Sequence, residues 1–478
     1  MIPKIPTGIP GMDMLTHGGL PANSTVLISG VPGSGKTTLA MQFLFHNATP
    51  EAPALFISTV SEPQSRLLQY MQQYTFFDLD KVGSAIHFED LGGHLLEKNG
   101  DTAIRRTEEL ILEYRPRYLV IDSFRSLIDL SDDTPTLRRA IFRLAALLAS
   151  LTCTTLLVGE YQRQDLANTI EATIVDGIVI LENQSVSLRD LRNIRIIKLR
   201  GSDYEAGEHA CKITTQGLVI FPRFRTPSSA VTYTTSRERV PIGIPGFDDE
   251  LLPGGLLRGT NTLLSGDPGI GKTVTALHFL LHGASIGETG LYISFQEDPN
   301  QLRQIARNFR LGIDAEEKRG RFRVVYTSPV ELDLDEHAYL MLDAIKSSAA
   351  QRVVIDSISD LMAAANRGTN RFFDFIYAFS QWCKDRHITT LFTTEMGSIF
   401  SSDLVITGRG VSHIADNILL MRYAELNGEI HRALTLLSAR GSDHSKKVYE
   451  YLIDEAEGPR LSTPLRSAFS LFHQTERL

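Results

Sequence analysis

Short apolar runs recur along the first half of the chain, each ending at a glycine, a charged residue or a turn-forming residue. They lie at residues 25–29, 55–58, 118–121 and 154–158. Runs of this length without polar alternation are typical of strands buried on both faces of a sheet. Residues 37–46 instead show helical periodicity directly after a glycine-rich stretch. The pattern predicts a strand, a glycine loop and a helix, followed by further strands.

The second half of the chain shows the same succession. Its apolar runs lie at residues 262–265, 291–295, 353–355 and 389–393. Strands that alternate with helices imply a mostly parallel sheet covered by helices on both faces. We therefore predict an α/β fold built twice.

Three sequence segments confirm that the chain repeats itself. The segment T-G-I-P-G-M-D at 7–13 returns as I-G-I-P-G-F-D at 242–248, and a G-G-L segment and a longer glycine-rich segment also return. The offsets between matching glycines are 235 residues (Gly8 to Gly243), 236 (Gly19 to Gly255) and 236 (Gly30 to Gly266). A period of this length indicates a duplicated whole domain rather than a solenoid repeat.

The duplication and the composition together predict the domain boundaries. Residues 1–223 form the first domain and residues 241–460 the second. Between them, residues 224–240 are rich in Ser, Thr, Arg and Pro and show little periodicity, which is typical of a linker. Residues 461–478 form a short C-terminal tail.

Residues 30–37 and 266–273 each fit the pattern G-x-x-x-x-G-K-[ST] in full. Glycines allow backbone N–H groups to surround phosphate oxygens, and the helix that follows adds partial positive charge. The lysine reaches the β and γ phosphates, and the hydroxyl of the next residue completes Mg²⁺ coordination. We therefore expect two ATP sites, formed by Gly30, Gly33, Ser34, Gly35, Lys36, Thr37 and Thr38, and by Gly266, Gly269, Ile270, Gly271, Lys272, Thr273 and Val274.

A carboxylate ends one apolar strand in each repeat, as in the Walker B pattern. Asp122 follows Y-L-V-I and Asp356 follows V-V-I. The two residues lie 92 and 90 positions after Gly30 and Gly266, respectively. This agreement favours a role in the Mg²⁺ shell, together with Thr37 and Thr273, over an ordinary strand-end aspartate.

With these motifs, the chain resembles the KaiC family of double-domain, RecA-like ATPases and autokinases, which includes proteins of the cyanobacterial clock. The resemblance covers nearly the whole chain. It rests on both G-I-P-G-[MF]-D segments, both phosphate loops, both Walker B strands, residues 137–144 and the two R-G-S segments. It implies two tandem P-loop domains of RecA type that bind ATP and Mg²⁺.

The resemblance also implies an assembly and partners. Members of the family form hexameric double rings with each ATP between neighbouring subunits, so we expect a homohexamer. The family's K-x-R-G segment reaches the neighbour's nucleotide. It maps onto Lys198 and Arg200 in the first domain and onto Arg440 in the second, where Ser438 replaces the lysine. KaiB-like or other signalling proteins are the expected partners, and docking of a KaiA-like activator on the short tail stays open.

The chain departs from the family at the catalytic base. The family carries two adjacent glutamates after the second strand, one of which accepts the proton of the attacking water or hydroxyl. The first domain has Val60 and Ser61 at these positions, followed by Glu62, and the second has Gln296 and Glu297. An amide can orient water but cannot hold its proton. We therefore predict slow hydrolysis of ATP. The predicted catalytic residues are Glu297, Gln296 and Lys272 in the second domain and Lys36 in the first.

The family's autophosphorylation segment is only partly retained. Ser412 matches the family's serine, His413 stands at the threonine position, and Thr407 matches a neighbouring hydroxyl. Ser412 and Thr407 are therefore the phosphorylation candidates, although a solvated loop hydroxyl explains Ser412 equally well.

Composition and charge narrow the possible partners and the cellular location of the protein. A net charge of −8 without a basic tail or stripe disfavours a nucleic-acid partner. Cys153, Cys211 and Cys383 are scattered without metal-ligand spacing, which favours reduced packing residues in a cytoplasmic protein. The apolar stretch at residues 144–158 is interrupted by hydroxyl residues, so we expect no membrane span.

Three functional hypotheses follow. The first is a slow ring ATPase with residual or lost autokinase activity. The second is a nucleotide-dependent scaffold with little catalysis. The third, disfavoured by the charge and by the lack of an aromatic-rich basic groove, is a RecA-type ATPase acting on DNA.

Overall fold

A computed structural model describes residues 2–59, 64–92, 100–129, 134–166, 169–186, 189–226, 236–328, 333–364, 369–395, 414–426, 428–455 and 457–465. The chain divides into two compact units, Met1–Arg223 and Phe224–Leu478. Among the described helices, none is both long and apolar enough to cross a bilayer.

The first unit is a twisted sheet with helices on both faces. Its strands are β1 (Lys4–Ile5), β2 (Leu20–Pro21), β3 (Thr25–Gly30), β4 (Ala54–Ser58), β5 (Ile86–Asp90), β6 (Tyr118–Asp122), β7 (Thr154–Gly159), β8 (Gly177–Val186), β9 (Arg189–Leu199), β10 (His209–Thr214) and β11 (Gly217–Phe221). Its helices are Met12–Leu15, Lys36–Asn47, Gln64–Met71, Gly100–Tyr114, Phe124–Asp129, Thr134–Ser150, Arg163–Leu166 and Ile170–Ile174, with a 3₁₀ turn at Leu79–Lys81.

In the described part of this unit, nine strands form the main sheet in the order β11-β10-β9-β8-β3-β7-β6-β4-β5. The strands from β8 to β5 in this order are parallel, and β9, β10 and β11 extend the sheet with antiparallel pairings. Alternate residues of β3 face opposite layers: Val26 and Ile28 pack with Phe43, and Leu27 packs with Leu119. This two-sided burial explains why β3 reads as a continuous apolar run.

The second unit repeats this architecture. Its strands are β12 (Arg239–Val240), β13 (Leu256–Leu257), β14 (Asn261–Gly266), β15 (Gly290–Ser294), β16 (Phe322–Tyr326), β17 (Arg352–Asp356), β18 (Thr389–Glu395), β19 (Asn417–Leu426), β20 (Glu429–Ala439), β21 (Tyr449–Asp454) and β22 (Gly458–Pro464). Its helices are Lys272–Ser285, Pro299–Asn308, Ile313–Lys318, Leu334–Ser348, Ile358–Ala364 and Thr369–Asp385, with a π-helical turn at Phe247–Leu251. Within the described residues, the main sheet has the order β16-β15-β17-β18-β14-β19-β20-β21-β22.

The predicted α/β class is confirmed, and the eight predicted strands correspond to β3, β4, β6, β7, β14, β15, β17 and β18, with ends that differ by at most two residues. Strands of the second unit extend beyond both predicted limits of the second domain, residues 241 and 460. Residues 239 and 240 form β12, which pairs with β13, and β22 continues to Pro464. Phe224 also packs on Phe375 of the second unit, with ring centroids 6.2 Å apart. The three cysteines are buried and unbridged.

Candidate nucleotide sites

Each phosphate loop connects the carboxyl end of a central strand to a long helix. The loops follow β3 and β14 and lead into Lys36–Asn47 and Lys272–Ser285. The helix N-caps, Gly35 and Gly271, have φ of 102° and 113°, which is a left-handed conformation that side-chain-bearing residues rarely adopt. The loop therefore closes tightly onto the first turn, whose free N–H groups favour an anion.

The loop lysines are buried against their own loops. The Lys36 ammonium donates to the Val31 carbonyl at 2.9 Å, and the Lys272 ammonium donates to the carbonyls of Gly266 and Asp267 at 3.0 Å each. Burial lowers the pKa of both lysines. Nearby carboxylates oppose this effect, because they favour the charged form of each lysine. A phosphate would give both cations a stronger partner than backbone carbonyls provide.

The predicted metal residues meet in both domains. Thr37 donates its hydroxyl to Asp122 at 2.6 Å, and Thr273 donates its hydroxyl to Asp356 at 3.1 Å. Mg²⁺ is usually held by one or two protein oxygens, several waters and the phosphates of the nucleotide. A threonine hydroxyl beside an aspartate, next to a phosphate-binding loop, therefore fits Mg²⁺ that arrives with ATP.

In the first domain these groups line one cavity. Its volume is about 360 Å³, and its polar lining includes Lys36, Thr37, Asp122 and Glu160. The remaining lining residues are Pro32, Gly33, Phe56, Ser58, Leu67, Tyr70, Met71 and Ser123. A few polar groups that converge in a partly apolar pocket of this size are typical of a small-molecule site.

Besides the two lysines, four of the predicted ATP-binding residues have buried side chains. Ile270 is fully buried in the core, so only its backbone can contact a phosphate. Ser34 is also buried, and its hydroxyl has no hydrogen-bond partner among the described residues. Thr38 and Val274 are buried in the first turn of the helix in each domain.

The candidate base of the second domain lies on the turn after β15. This turn is held by the cap of the next helix, because Asp298 accepts from the backbone N–H groups of Asn300 and Gln301. Glu297 is half-buried. Burial first, and then the charge of Asp356, raise the pKa of Glu297. A raised pKa makes a carboxylate a better proton acceptor near neutral pH.

Gln296 is tied to a carboxylate that the sequence analysis did not single out. Its amide nitrogen lies 3.2 Å from each carboxylate oxygen of Asp360, which also accepts from the Ser357 hydroxyl at 2.7 Å. Because the amide nitrogen faces Asp360, the amide oxygen is the atom left to accept from a water. The two positions are 64 residues apart, and nothing in the local sequence links them.

The corresponding positions of the first domain, Val60, Ser61 and Glu62, lie outside the described residues. The first nucleotide site contains another carboxylate near its loop lysine. Glu160 lies 3.9 Å from the Lys36 ammonium, and its side chain is 55% exposed. It directly follows β7, which pairs with β3. Its equivalent in the second domain is Glu395, at the end of β18, whose charge favours the protonated form of Lys272. Aligning the two repeats along these strands could have identified Glu160.

Lys198, Arg200 and Arg440 lie near the amino ends of the parallel strands, whereas the phosphate loops lie at the carboxyl ends. In the first domain, Leu199 pairs with Gly177, at the amino end of β8, which runs parallel to β3. The six residues of β3 span roughly 20 Å, so these cations are far from the phosphate loop of their own domain. Lys198 donates to the carbonyls of Ala172 and Val175, and Arg200 is 57% exposed beside Asp176.

Arg440 occupies the equivalent place in the second domain. It lines a cavity of about 650 Å³ together with Lys384, Arg258 and Asp416. Lys384 bonds Asp416 at 2.8 Å, so part of the positive charge of this cavity is already neutralised. The phosphorylation candidates Ser412 and Thr407 lie outside the described residues.

Comparison with known proteins identifies the family. The family model described as "ATPase: KaiC" matches twice, over residues 5–225 and 240–463. The chain belongs to the KaiC family. Circadian clock oscillator protein KaiC of Picosynechococcus sp. (strain ATCC 27264 / PCC 7002 / PR-6) is 31% identical over 95% of this chain and 89% of its own length. The protein of the same name from Thermostichus vulcanus is 32% identical over 95% of this chain and 88% of its own length.

A third relative, circadian clock oscillator protein KaiC 1 of Synechocystis sp. (strain ATCC 27184 / PCC 6803 / Kazusa), is 30% identical over 98% of this chain and 90% of its own length. The family resemblance noted in the motifs is therefore confirmed. The chain carries two KaiC-type ATPase domains.

Proposed function

We propose that this KaiC-family chain is a slow, Mg²⁺-dependent ATPase that assembles into a homohexameric ring and acts in cytoplasmic regulation or timing. The observation that carries the proposal is the arrangement in the second domain. There, Lys272, Thr273 and Asp356 converge beside the half-buried Glu297. These groups supply phosphate binding, metal coordination and a proton acceptor at one edge of the sheet.

Each group has a distinct role in the proposed reaction. Lys272 and the loop N–H groups would hold the phosphates, and Thr273 and Asp356 would hold Mg²⁺, which when bound supplies positive charge beside the phosphate oxygens. Gln296 orients a water through its amide oxygen. Glu297 accepts the proton of this water as its oxygen attacks the γ-phosphorus and the bond to ADP breaks. The products are ADP and phosphate.

The first domain is proposed to bind ATP and to hydrolyse it more slowly. Val60 and Ser61 cannot accept a proton. Among the described residues, Glu160 lines the same cavity as Lys36 and Asp122, and its carboxylate is placed to polarise a water there. The Glu160 side chain is 55% exposed, so bulk water competes with the attacking water at this carboxylate, and we expect slower hydrolysis here than beside the half-buried Glu297.

Autophosphorylation is a narrower part of this proposal, and two other functions are alternatives to it. Autophosphorylation would fall on Ser412 or Thr407. A nucleotide-dependent scaffold with little hydrolysis is the second candidate, favoured by the replacement of the family's paired glutamates at three of four positions. A role on DNA is disfavoured by the net charge of −8.

One experiment distinguishes these possibilities. The purified chain is incubated with ATP and Mg²⁺, and phosphate release and intact mass are followed together. Phosphate release that is lost in Lys272→Ala supports the ATPase, and a mass increase that maps to Ser412 or Thr407 supports the autokinase. Nucleotide binding without either result supports the scaffold. Binding to single-stranded DNA that weakens with salt would support the DNA-acting alternative.

Assembly is expected to depend on nucleotide. Lys198, Arg200 and Arg440 lie far from their own phosphate loops, which suits contact with the nucleotide of a neighbouring subunit. A ligand held between subunits favours the assembled state by mass action. We expect a hexamer with ATP and Mg²⁺ and smaller species without them. A light-scattering mass that is the same with and without nucleotide would contradict the shared site.

Restoring the family carboxylate should raise turnover, but only after a second change. In Gln296→Glu the new carboxylate lies against Asp360, where the present amide donates. Like charges at this distance disfavour the productive orientation. We expect Gln296→Glu alone to have little effect and Gln296→Glu with Asp360→Asn to raise phosphate release several-fold, with ATP affinity nearly unchanged. Asp360→Asn alone is the control. Equal rates of phosphate release in Gln296→Glu and in the double variant would exclude this coupling between Gln296 and Asp360.

A further inference from the structure

Asp356 accepts hydrogen bonds from two buried hydroxyls in addition to that of Thr273. The Tyr292 hydroxyl bonds one carboxylate oxygen, Oδ2, which is also the acceptor for Thr273. The Thr393 hydroxyl bonds the other oxygen, Oδ1. Tyr292 and Thr393 are both 0% exposed. Both oxygens of the proposed metal-site carboxylate are therefore held by groups that do not reach solvent.

The sheet brings these donors to the carboxylate from two sides. Asp356 ends β17, which lies between β15, carrying Tyr292, and β18, carrying Thr393. Tyr292 lies two residues before Ser294, which pairs with Asp356. Its hydroxyl therefore reaches forward along the sheet to the carboxylate. A ring packed in the core has little rotamer freedom, so its hydroxyl is a fixed donor.

The first domain has no hydroxyl at either corresponding position. Phe56 pairs with Val120 as Tyr292 pairs with Val354, so Phe56 is the equivalent of Tyr292. Val158 pairs with Ile28 as Thr393 pairs with Leu264, so Val158 is the equivalent of Thr393. The two hydroxyls are thus a feature of the second domain alone, within the duplicated architecture.

We propose that Tyr292 is a positioning residue that, with Thr393, fixes the Asp356 carboxylate for Mg²⁺ in the second nucleotide site. The inference rests on the proposed ATPase function. A free carboxylate rotates and must lose that freedom when metal and nucleotide bind. A carboxylate already held at both oxygens has less freedom to lose. Partners of metal-site groups commonly contribute about 10- to 100-fold to metal affinity or activity.

The test measures metal dependence rather than turnover. The full chain carries Lys36→Ala, so that the second site supplies the nucleotide binding. A fluorescent ADP analogue is added at fixed concentration and Mg²⁺ is titrated. We expect Tyr292→Phe to raise the Mg²⁺ concentration for half-maximal binding by about 10-fold, with the signal recovered at saturating Mg²⁺. Thr393→Val should shift the titration in the same direction.

A matched control separates this role from packing. Tyr449 is also almost fully buried in the second domain, but its hydroxyl contacts Ser445 at 3.1 Å. Tyr449→Phe should leave the Mg²⁺ titration unchanged, and the melting temperature of each nucleotide-free variant reports any loss of stability. A purely structural Tyr292 would lower that temperature without moving the Mg²⁺ midpoint, which would overturn the proposal.

The remaining outcomes are also decisive. A Mg²⁺ midpoint that falls in Tyr292→Phe would overturn the proposal, because the hydroxyl would then compete with the metal for Asp356. If the Lys36→Ala chain itself shows no Mg²⁺-dependent binding, the proposed nucleotide site fails first. If this chain binds normally and only the Tyr292 effect is missing, the positioning role alone is refuted.

Discussion

Replacing Glu297 by glutamine is expected to reduce second-domain phosphate release by about 10²- to 10⁴-fold, the range that general-base assistance usually contributes. Glutamine keeps the size of the side chain but cannot accept the proton of the attacking water. Burial and the neighbouring Asp356 raise the pKa of Glu297, which suits it to this role. ATP affinity should change little, because Lys272 and the loop still hold the phosphates. Single-turnover release in the Lys36→Ala background measures the second site.

Glu395→Gln is the control for this prediction. Glu395 ends β18, and its charge favours the protonated form of Lys272, so it is the alternative acceptor. We expect this variant to retain most of the turnover. If Glu297→Gln leaves phosphate release untouched while Lys272→Ala abolishes it, the base lies elsewhere. Glu395 would then be the next residue to test.

The central strands and phosphate loops could be predicted because their sequence signals are local. Burial on both faces gives β3 and β14 apolar centres without polar alternation, V-L-I at 26–28 and L-L at 263–264, and the glycine spacing of each loop follows from its backbone geometry. The duplication then supported the weaker signals, so that Asp122 and Asp356 were assigned together. The hydrogen bonds from Thr37 and Thr273 bring these aspartates to the loops, as expected for metal residues.

The contacts that differ between the two domains could not be read from local sequence. Tyr292 and Asp356 are 64 residues apart, and they meet because β15 and β17 pair in a particular register. The same separation hides the contact between Gln296 and Asp360. An isolated tyrosine in an apolar run reads as a packing residue. Only the strand order shows that its hydroxyl ends at a carboxylate.

The antiparallel extension of each sheet was also missed. Strand β9 mixes buried positions such as Ile194 with arginines that are partly exposed, so it lacks the continuous apolar run that identifies the central strands. This extension carries Lys198 and Arg200, whose predicted contact with a neighbouring nucleotide remains a prediction. Such a contact depends on assembly, which the sequence of one chain specifies only through the family resemblance.

Removing either loop lysine is expected to weaken ATP binding at its own site by roughly one to two decades. A hydrogen bond from a charged group typically contributes about 1.5–3 kcal/mol. Among the described residues, the hydrogen-bond acceptors of both ammonium groups are carbonyls of their own loop, with Glu160 also 3.9 Å from Lys36. Burial lowers the pKa of both lysines, and a phosphate would be a stronger partner than these carbonyls. Lys36→Ala and Lys272→Ala should each leave one high-affinity site per chain, as measured by equilibrium binding of labelled ATP.

Lys81→Ala provides the matched comparison. The Lys81 ammonium also donates to a backbone carbonyl, that of Phe45, at 2.6 Å, but it lies outside the phosphate loop. Loss of a lysine-to-carbonyl bond therefore occurs in all three variants, whereas loss of a phosphate contact occurs in only two. We expect two sites of unchanged affinity in Lys81→Ala and none of high affinity in the double variant of Lys36 and Lys272. Unchanged ATP binding in that double variant would show that the nucleotide is held elsewhere.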